Sequence, residues 1–365
     1  MSDGRAVAST YLAWAKLRSR AKYNLATSGI MSYPLAELDV SARELEINGP
    51  NAYGYVPLLE RLARKSGATP ECIVAAAGTS MANHLAMAAL LEPGDDLLIE
   101  RPAYGPVLEV ASYLQANILR FERRAEEDYR VDADEIARRI TAKTRLICLT
   151  NLHNPSGALI GEETMTRVGE VAQRSGAQVL VDEVYLDMVY DEPVRSSFEL
   201  GKNFVVTTSL TKAYGLSGLR CGWIVAQPEI AKRMWGLNDL FGATPVHPGE
   251  LLSVAALDQL EKIDTRARAL LATNREALEA FFSGRDDVDG FRGRWGTVAF
   301  PRLKGGRGDE FCEFLRKRYE TSVVPGRFFE MPDHFRIGIG GDAAMTAEAL
   351  RRLGAALDEW GAMRR

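Results

Sequence analysis

The stretch Ser209-Leu210-Thr211-Lys212-Ala213-Tyr214-Gly215-Leu216-Ser217-Gly218-Leu219-Arg220 follows a strand-like run, Phe204-Val205-Val206-Thr207-Thr208, and leads into Cys221-Gly222-Trp223-Ile224-Val225. A lysine just past a buried strand must be solvated, paired or neutralised, because an ammonium is costly to bury. Covalent chemistry is one way to neutralise it. An amine that forms a Schiff base with an aldehyde needs a depressed pKa and a fixed position. Ser209 and Arg220, which flank Lys212, are the hydroxyl and the bidentate cation that a phosphate group asks for. An isolated S-x-x-K reads as readily as a surface loop, so the rest of the chain has to decide.

Upstream, strands and helices alternate. Glu71 to Ala77 reads as a strand that runs into Gly78-Thr79-Ser80 and then a helix, Met81 to Leu91. Free backbone N–H groups, a helix dipole and two hydroxyls converge at such a junction and suit an anion, although Ser and Thr there also serve as plain caps. Strand Leu97 to Glu100 leads to Tyr104, held between Pro102 and Gly105, a ring placed to stack on a planar ligand or to cap the core. Helix Val107 to Gln115 and strand Asn117 to Arg120 follow, and the charged run Glu122 to Arg130 reads as solvated. Strand Thr144 to Thr150 empties into Asn151-Leu152-His153-Asn154-Pro155, where Asn154-Pro155 presents an amide at the sheet edge. Helix Glu162 to Ser175 and strand Gln178 to Val181 end at Asp182, either a helix cap or a buried charge with a cationic partner.

This order predicts an α/β fold: a mostly parallel sheet flanked by helices from about residue 70 to 225. Ligands of such sheets bind at the carboxyl ends of the strands. Gly78, Tyr104, Asn154, Asp182 and Lys212 all fall at those ends.

On either side the pattern changes. Residues 9–22 fit an amphipathic helix, followed by an extended, glycine-broken segment, Tyr23 to Ile30. Beyond Pro228 come helices over 230–239, 248–260 and 264–282, then strand-like 296–300, a helix over 309–319, strands 321–324 and 334–339, and a last helix over 346–360. The expected organisation is an N-terminal arm joined to a small domain (1–45), a large domain (46–255) and a smaller α+β domain (256–365).

The 365 residues, 46% hydrophobic and 26% charged with a net charge of -4, are those of an ordinary globular protein, with no sign of a nucleic-acid or membrane partner. Four scattered cysteines form no C-x-x-C pair, and four histidines show no metal-ligand spacing, so no metal is expected. No apolar run is long enough to span a bilayer, and Met1 to Arg5 lack the basic-then-apolar pattern of a signal peptide. A cytoplasmic location is the expectation. No G-x-G-x-x-G or Walker-type loop is present to support a nucleotide-binding protein.

Taken together, these motifs resemble the class I/II aminotransferase family of fold-type-I pyridoxal phosphate enzymes, from about Asn24 to the C-terminal helix. The resemblance implies pyridoxal 5'-phosphate held as a Schiff base on Lys212, which also moves the substrate proton. It implies that Asp182 pairs with the pyridinium nitrogen, that Tyr185 and Asn154 meet the phenolic oxygen, and that Tyr104 stacks on the ring. Gly78, Thr79, Ser80, Ser209 and Arg220 correspond to the phosphate cup, and Gly29, Asn154 and Arg336 to the substrate-binding residues, with Arg336 gripping the substrate carboxylate. It further implies a homodimer that moves an amino group between an L-amino acid and a 2-oxo acid. It identifies no arginine for a side-chain carboxylate, and it does not settle whether Tyr53 or Tyr55 serves a neighbouring subunit. Over a shorter span, Tyr23 to Leu38 resembles capreomycidine synthase, which cyclises a hydroxylated arginine. That likeness keeps open a lyase or cyclase acting on a β-substituted amino acid; a non-catalytic cofactor-binding protein is the other alternative.

Overall fold

The computed structural model describes residues 5–364, so residues 1–4, on which the expected lack of a signal peptide rests, lie outside it. The chain opens with α1 (Thr10–Leu17), β1 (Tyr23–Asn24) and α2 (Val56–Lys65). There follow β2 (Ile73–Ala77), α3 (Thr79–Leu90), β3 (Asp96–Arg101), α4 (Gly105–Tyr113), β4 (Asn117–Glu122), α5 (Ala133–Arg139) and β5 (Thr144–Thr150). Next come α6 (Glu162–Ser175), β6 (Gln178–Asp182), β7 (Phe204–Ser209) and β8 (Cys221–Val225). Three helices, α7 (Pro228–Asn238), α8 (His247–Asp258) and α9 (Leu260–Phe282), lead to β9 (Val288–Asp289), β10 (Val298–Ala299) and β11 (Arg302–Leu303). The chain closes with α10 (Gly308–Tyr319), β12 (Thr321–Ser322), β13 (Val324–Pro325), β14 (Phe335–Gly338) and α11 (Ala343–Ala362).

The central sheet has seven strands in the order β2-β8-β7-β6-β5-β3-β4. Six run parallel to one another; β8 is antiparallel to both of its neighbours. Side chains alternate between the two faces, as the pleat requires. Val74, Leu97, Ile99, Leu146, Leu180, Val205 and Ile224 pack on one face with α3, α4 and α7. Ile73, Leu98, Ile147, Leu149, Val179, Val181 and Val206 pack on the other with α2 and α6. The parallel strands therefore end on one edge. Because β8 runs the other way, its first residue, Cys221, lies opposite the last residue of β2, Ala77, which brings Arg220 to that same edge.

The mostly parallel sheet agrees with the sequence, and α6 has the expected bounds. Its two N-terminal glutamates and its left-handed Gly176 cap supply the end signals. Three expectations need correction. The first helix stops at Leu17 and does not reach Lys22. The expected strand over 321–324 is two short strands, and α5 was not anticipated. The charged run Glu122 to Arg130 is not solvated throughout: Arg123 and Tyr129 are fully buried. Arg123 is neutralised by Glu100 of β3 at 2.8 Å and also donates to the Tyr129 carbonyl. A partner 23 residues away in sequence makes that burial tolerable.

Candidate active site

A cavity of about 540 Å³ opens at the carboxyl edge of the sheet. Thr79 and Ser80 reach it from α3, Tyr104 from the β3–α4 junction, Asn154 from the loop after β5, and Asp182 and Tyr185 from the end of β6. Thr211, Lys212, Ser217 and Arg220 come from the loop between β7 and β8, and Leu12 and Lys16 from α1. The lining includes three cations, Lys16, Lys212 and Arg220, and one carboxylate, Asp182. An anionic ligand is the natural complement.

Lys212 is half-buried, and its Nζ donates to the Ser28 hydroxyl at 3.0 Å. Burial lowers the amine's pKa, and the Arg336 and Arg220 charges push the same way while Asp182 opposes them. Gly29 leaves room for this side chain: a Cβ there would lie 3.2 Å from the Lys212 Cδ. Asp182 is pushed up to about 6 by burial, partly countered by the Asn83 amide and the Val184 N–H. The Asn83 amide donates to Asp182 at 2.8 Å and accepts from the Thr207 hydroxyl at 2.6 Å, which fixes its orientation. Among the described residues no cation forms a salt bridge with Asp182. Burial also pushes up the Tyr185 phenol, against the Arg336 charge and the Ser28 hydroxyl.

At the other end of the cavity, Arg220 donates to the Ser217 and Ala77 carbonyls and has no carboxylate partner among the described residues. Gly78 has φ +78, and a Cβ on it would collide with the Arg220 guanidinium, so only glycine serves at this junction. Thr79 and Ser80 begin α3, where backbone N–H groups lack helical acceptors. Ser209 sits deeper than the sequence suggested. Its hydroxyl is engaged by Thr79 at 2.8 Å and Thr211 at 2.7 Å, and those two hydroxyls face the cavity in its place.

Arg336, on β14, is fully buried behind Asn154. Its Nη1 donates to the Asn154 Oδ1 at 2.7 Å and its Nη2 to the Tyr11 hydroxyl at 2.9 Å, while Nε has no partner. Asn154 is itself held by its N–H to Thr150 Oγ1, and Thr150 donates to Glu100, so the buried Glu100–Arg123 pair braces the loop. Gly29, Gly78, Thr79, Ser80, Tyr104, Asn154, Asp182, Tyr185, Ser209, Lys212, Arg220 and Arg336 thus lie in or against one site, whereas Tyr53 and Tyr55 pack elsewhere, against Trp235 and His247. Sequence reasoning missed Tyr11, Ser28, Asn83, Thr211 and Ser217. Asn83 carried a usable signal, a polar residue on the buried face of an otherwise apolar helix; Tyr11 carried none.

The arrangement fits pyridoxal phosphate on its own chemistry. An amine of lowered pKa suits an aldehyde, and a buried carboxylate without a cation suits a protonated ring nitrogen. An unpaired guanidinium beside hydroxyls at a helix N-terminus suits a phosphate. Comparison with known proteins points the same way. The family model described as aminotransferase class I and II matches residues 34–353. Capreomycidine synthase of Streptomyces vinaceus is 29% identical, over 87% of this chain and 85% of that protein. The arginine–pyruvate transaminase of Pseudomonas aeruginosa is 27% identical, over 81% and 78%. A PLP-dependent aminotransferase from Streptococcus suis superposes with a TM-score of 0.88 at 24% identity, covering 93% of this chain and 94% of that one.

Proposed function

The chain belongs to the aminotransferase class I and II family, and from that premise we propose how its own residues carry out the reaction. The enzyme is a pyridoxal-phosphate-dependent aminotransferase that moves an amino group from an amino acid to a 2-oxo acid. Bound at the cavity, the cofactor supplies an aldehyde and an electron-accepting pyridine ring. Lys212 would hold the aldehyde and, once freed, move the proton at the substrate α-carbon; desolvation lowers the pKa of its amine, which favours that role. Asp182 would pair with the ring nitrogen and favour its protonated form, Tyr185 and Asn154 would donate to the phenolic oxygen, and Tyr104 would pack against the ring. Gly78, Thr79, Ser80 and Arg220 take the phosphate, with Ser209 supporting Thr79 from beneath. Arg336 takes the substrate α-carboxylate, with Gly29 keeping the approach open beside Lys212. The observation that carries this reading is one cavity that holds both the Lys212 amine, its pKa lowered, and a buried Asp182 carboxylate.

A single amino acid added to the yellow enzyme is expected to bleach the cofactor absorbance, and a 2-oxo acid to restore it, with ping-pong kinetics. A second reading follows from the likeness to capreomycidine synthase: elimination or cyclisation of a β-substituted amino acid by the same residues. In that case absorbance recovers without any 2-oxo acid, and such a result overturns transamination. The likeness alone does not make an arginine derivative the substrate, since Asp182 is the one acid lining the cavity among the described residues.

Further assignments rest on placement. The segments 47–56 and 240–246 expose Ile47, Tyr53, Val56, Leu240, Phe241 and Val246. The two segments are joined by the Asn51 amide donating to the Pro245 carbonyl, and Tyr53 packs on Trp235. A second copy of the chain is the proposed cover for this apolar face. Sedimentation at micromolar concentration is expected to give a dimer, and Leu240→Asp with Val246→Glu to yield monomers of reduced activity. A fully active wild-type monomer would contradict the assignment. Domain boundaries near 45 and 255 are supported by β1, which pairs with β12 and not with the large sheet. A cytoplasmic location is in keeping with four unpaired, buried cysteines.

A further inference from the structure

Tyr11 stands 325 positions from Arg336 in sequence, yet its hydroxyl is 2.9 Å from the Arg336 Nη2. An arginine N–H can only donate, so the Tyr11 oxygen is the acceptor and its own proton remains free to donate. That proton has no acceptor among the described residues, although Tyr11 is only 6% exposed. The Nε of the same Arg336 guanidinium is buried and without a partner. Two unsatisfied donors on one hydrogen-bonded pair of side chains, one of them charged, call for an anion.

The tyrosine is rigidly placed. Its ring meets Tyr104 edge-on at 5.3 Å and Phe328 at 5.6 Å, and lies 6.0 Å from Phe329, over which the Arg336 guanidinium also sits. The helix that carries it is pinned at its start, where the Thr10 N–H and hydroxyl both donate to Glu109 of α4 at 2.8 and 2.9 Å. The hydroxyl is therefore pre-positioned, and little ordering is needed when a ligand arrives.

We propose that Tyr11 is a substrate-binding residue: its hydroxyl donates to the α-carboxylate that Arg336 grips. The proposal rests on the assignment of Arg336 to that carboxylate. The ligand class is a carboxylate, and neutral isosteres lose the benefit. A point of contact beyond the guanidinium restricts rotation of the carboxylate and so steadies the α-carbon beside Lys212.

Equilibrium binding tests this without turnover. Holoenzyme is titrated with propionate, which has no amino group to react, and with its isostere propionamide, following cofactor absorbance and tryptophan fluorescence. Tyr11→Phe keeps the ring and its packing. It is expected to weaken propionate about tenfold, leave propionamide unchanged and leave cofactor affinity unchanged. Arg336→Lys is expected to weaken propionate as well, and the double variant to fall short of the product of the two effects, as it does when both groups hold one ligand. If Tyr11→Phe binds propionate within twofold of wild type while Arg336→Lys does not, the Tyr11 role is overturned and the Arg336 assignment stands. If Arg336→Lys is also without effect, the Arg336 assignment fails first. Equal weakening of acid and amide by Tyr11→Phe would make Tyr11 a packing residue, and that too overturns the proposal.

Discussion

Lys212→Ala is expected to reduce turnover by at least about a thousandfold, because in the proposed mechanism one side chain both anchors the aldehyde and moves the proton at the α-carbon. The variant keeps Arg220, Thr79, Ser80 and Asp182, so cofactor binding through the phosphate should survive in weakened form. Loss of activity alone would not separate catalysis from unfolding. Borohydride reduction of the wild-type holoenzyme does separate them, since it fixes the cofactor on whichever lysine holds it. The label is expected on the peptide that contains Lys212. Label on Lys16, the other lysine lining the cavity, would overturn the assignment. The Ser28 hydroxyl is the hydrogen-bond acceptor for the free amine, so the released side chain has a defined position to return to and does not wander in solvent.

Asp182→Asn is the second large effect, and its sign differs between stability and catalysis. Burial raises this carboxyl from the ordinary 3.8 to about 6. The native state of the cofactor-free protein then binds more protons than the unfolded chain between those values, so stability falls as pH rises from about 4 through about 6. Above that range the ionised carboxylate costs on the order of 3 kcal/mol, a cost that a protonated ring nitrogen offsets when the cofactor is bound. An amide at this position carries no such cost. Cofactor-free Asp182→Asn is therefore expected to melt higher than wild type well above pH 6 and to match it below pH 4. Its turnover, in contrast, should drop by on the order of a thousandfold, because the ring nitrogen loses the carboxylate that keeps it protonated. Activity within tenfold of wild type would remove Asp182 from the mechanism. A lower melting temperature at high pH would show that the carboxylate is paired in the cofactor-free protein after all.

Much of this protein is legible in the chain because its informative signals are local. A strand followed by a helix start places Gly78, Thr79 and Ser80 at a sheet edge from a dozen residues of sequence. The same holds for Asp182 after Gln178 to Val181 and for Lys212 after Phe204 to Ser209. Parallel strands joined by helices must end on one side, so these separate junctions converge without any knowledge of which strand neighbours which.

What only the tertiary structure decided depends on contacts between distant segments. Arg123 lies in a run of charges that reads as solvated, and it is buried because Glu100 of the adjacent strand neutralises it. Arg220 reaches the carboxyl edge of the sheet, where the phosphate is proposed to sit, because β8 runs against its neighbours, a direction that no local pattern encodes. Asn83 stands out as a polar residue on an apolar helix, but only the fold shows that its amide bridges Thr207 and Asp182. Tyr11 looks like one aromatic on a short amphipathic helix, and its hydroxyl gains meaning only against a guanidinium at the far end of the chain. Periodicity and capping specify each element and the edge at which it ends. The partner that makes a buried charge or hydroxyl tolerable is set by packing among elements far apart in sequence.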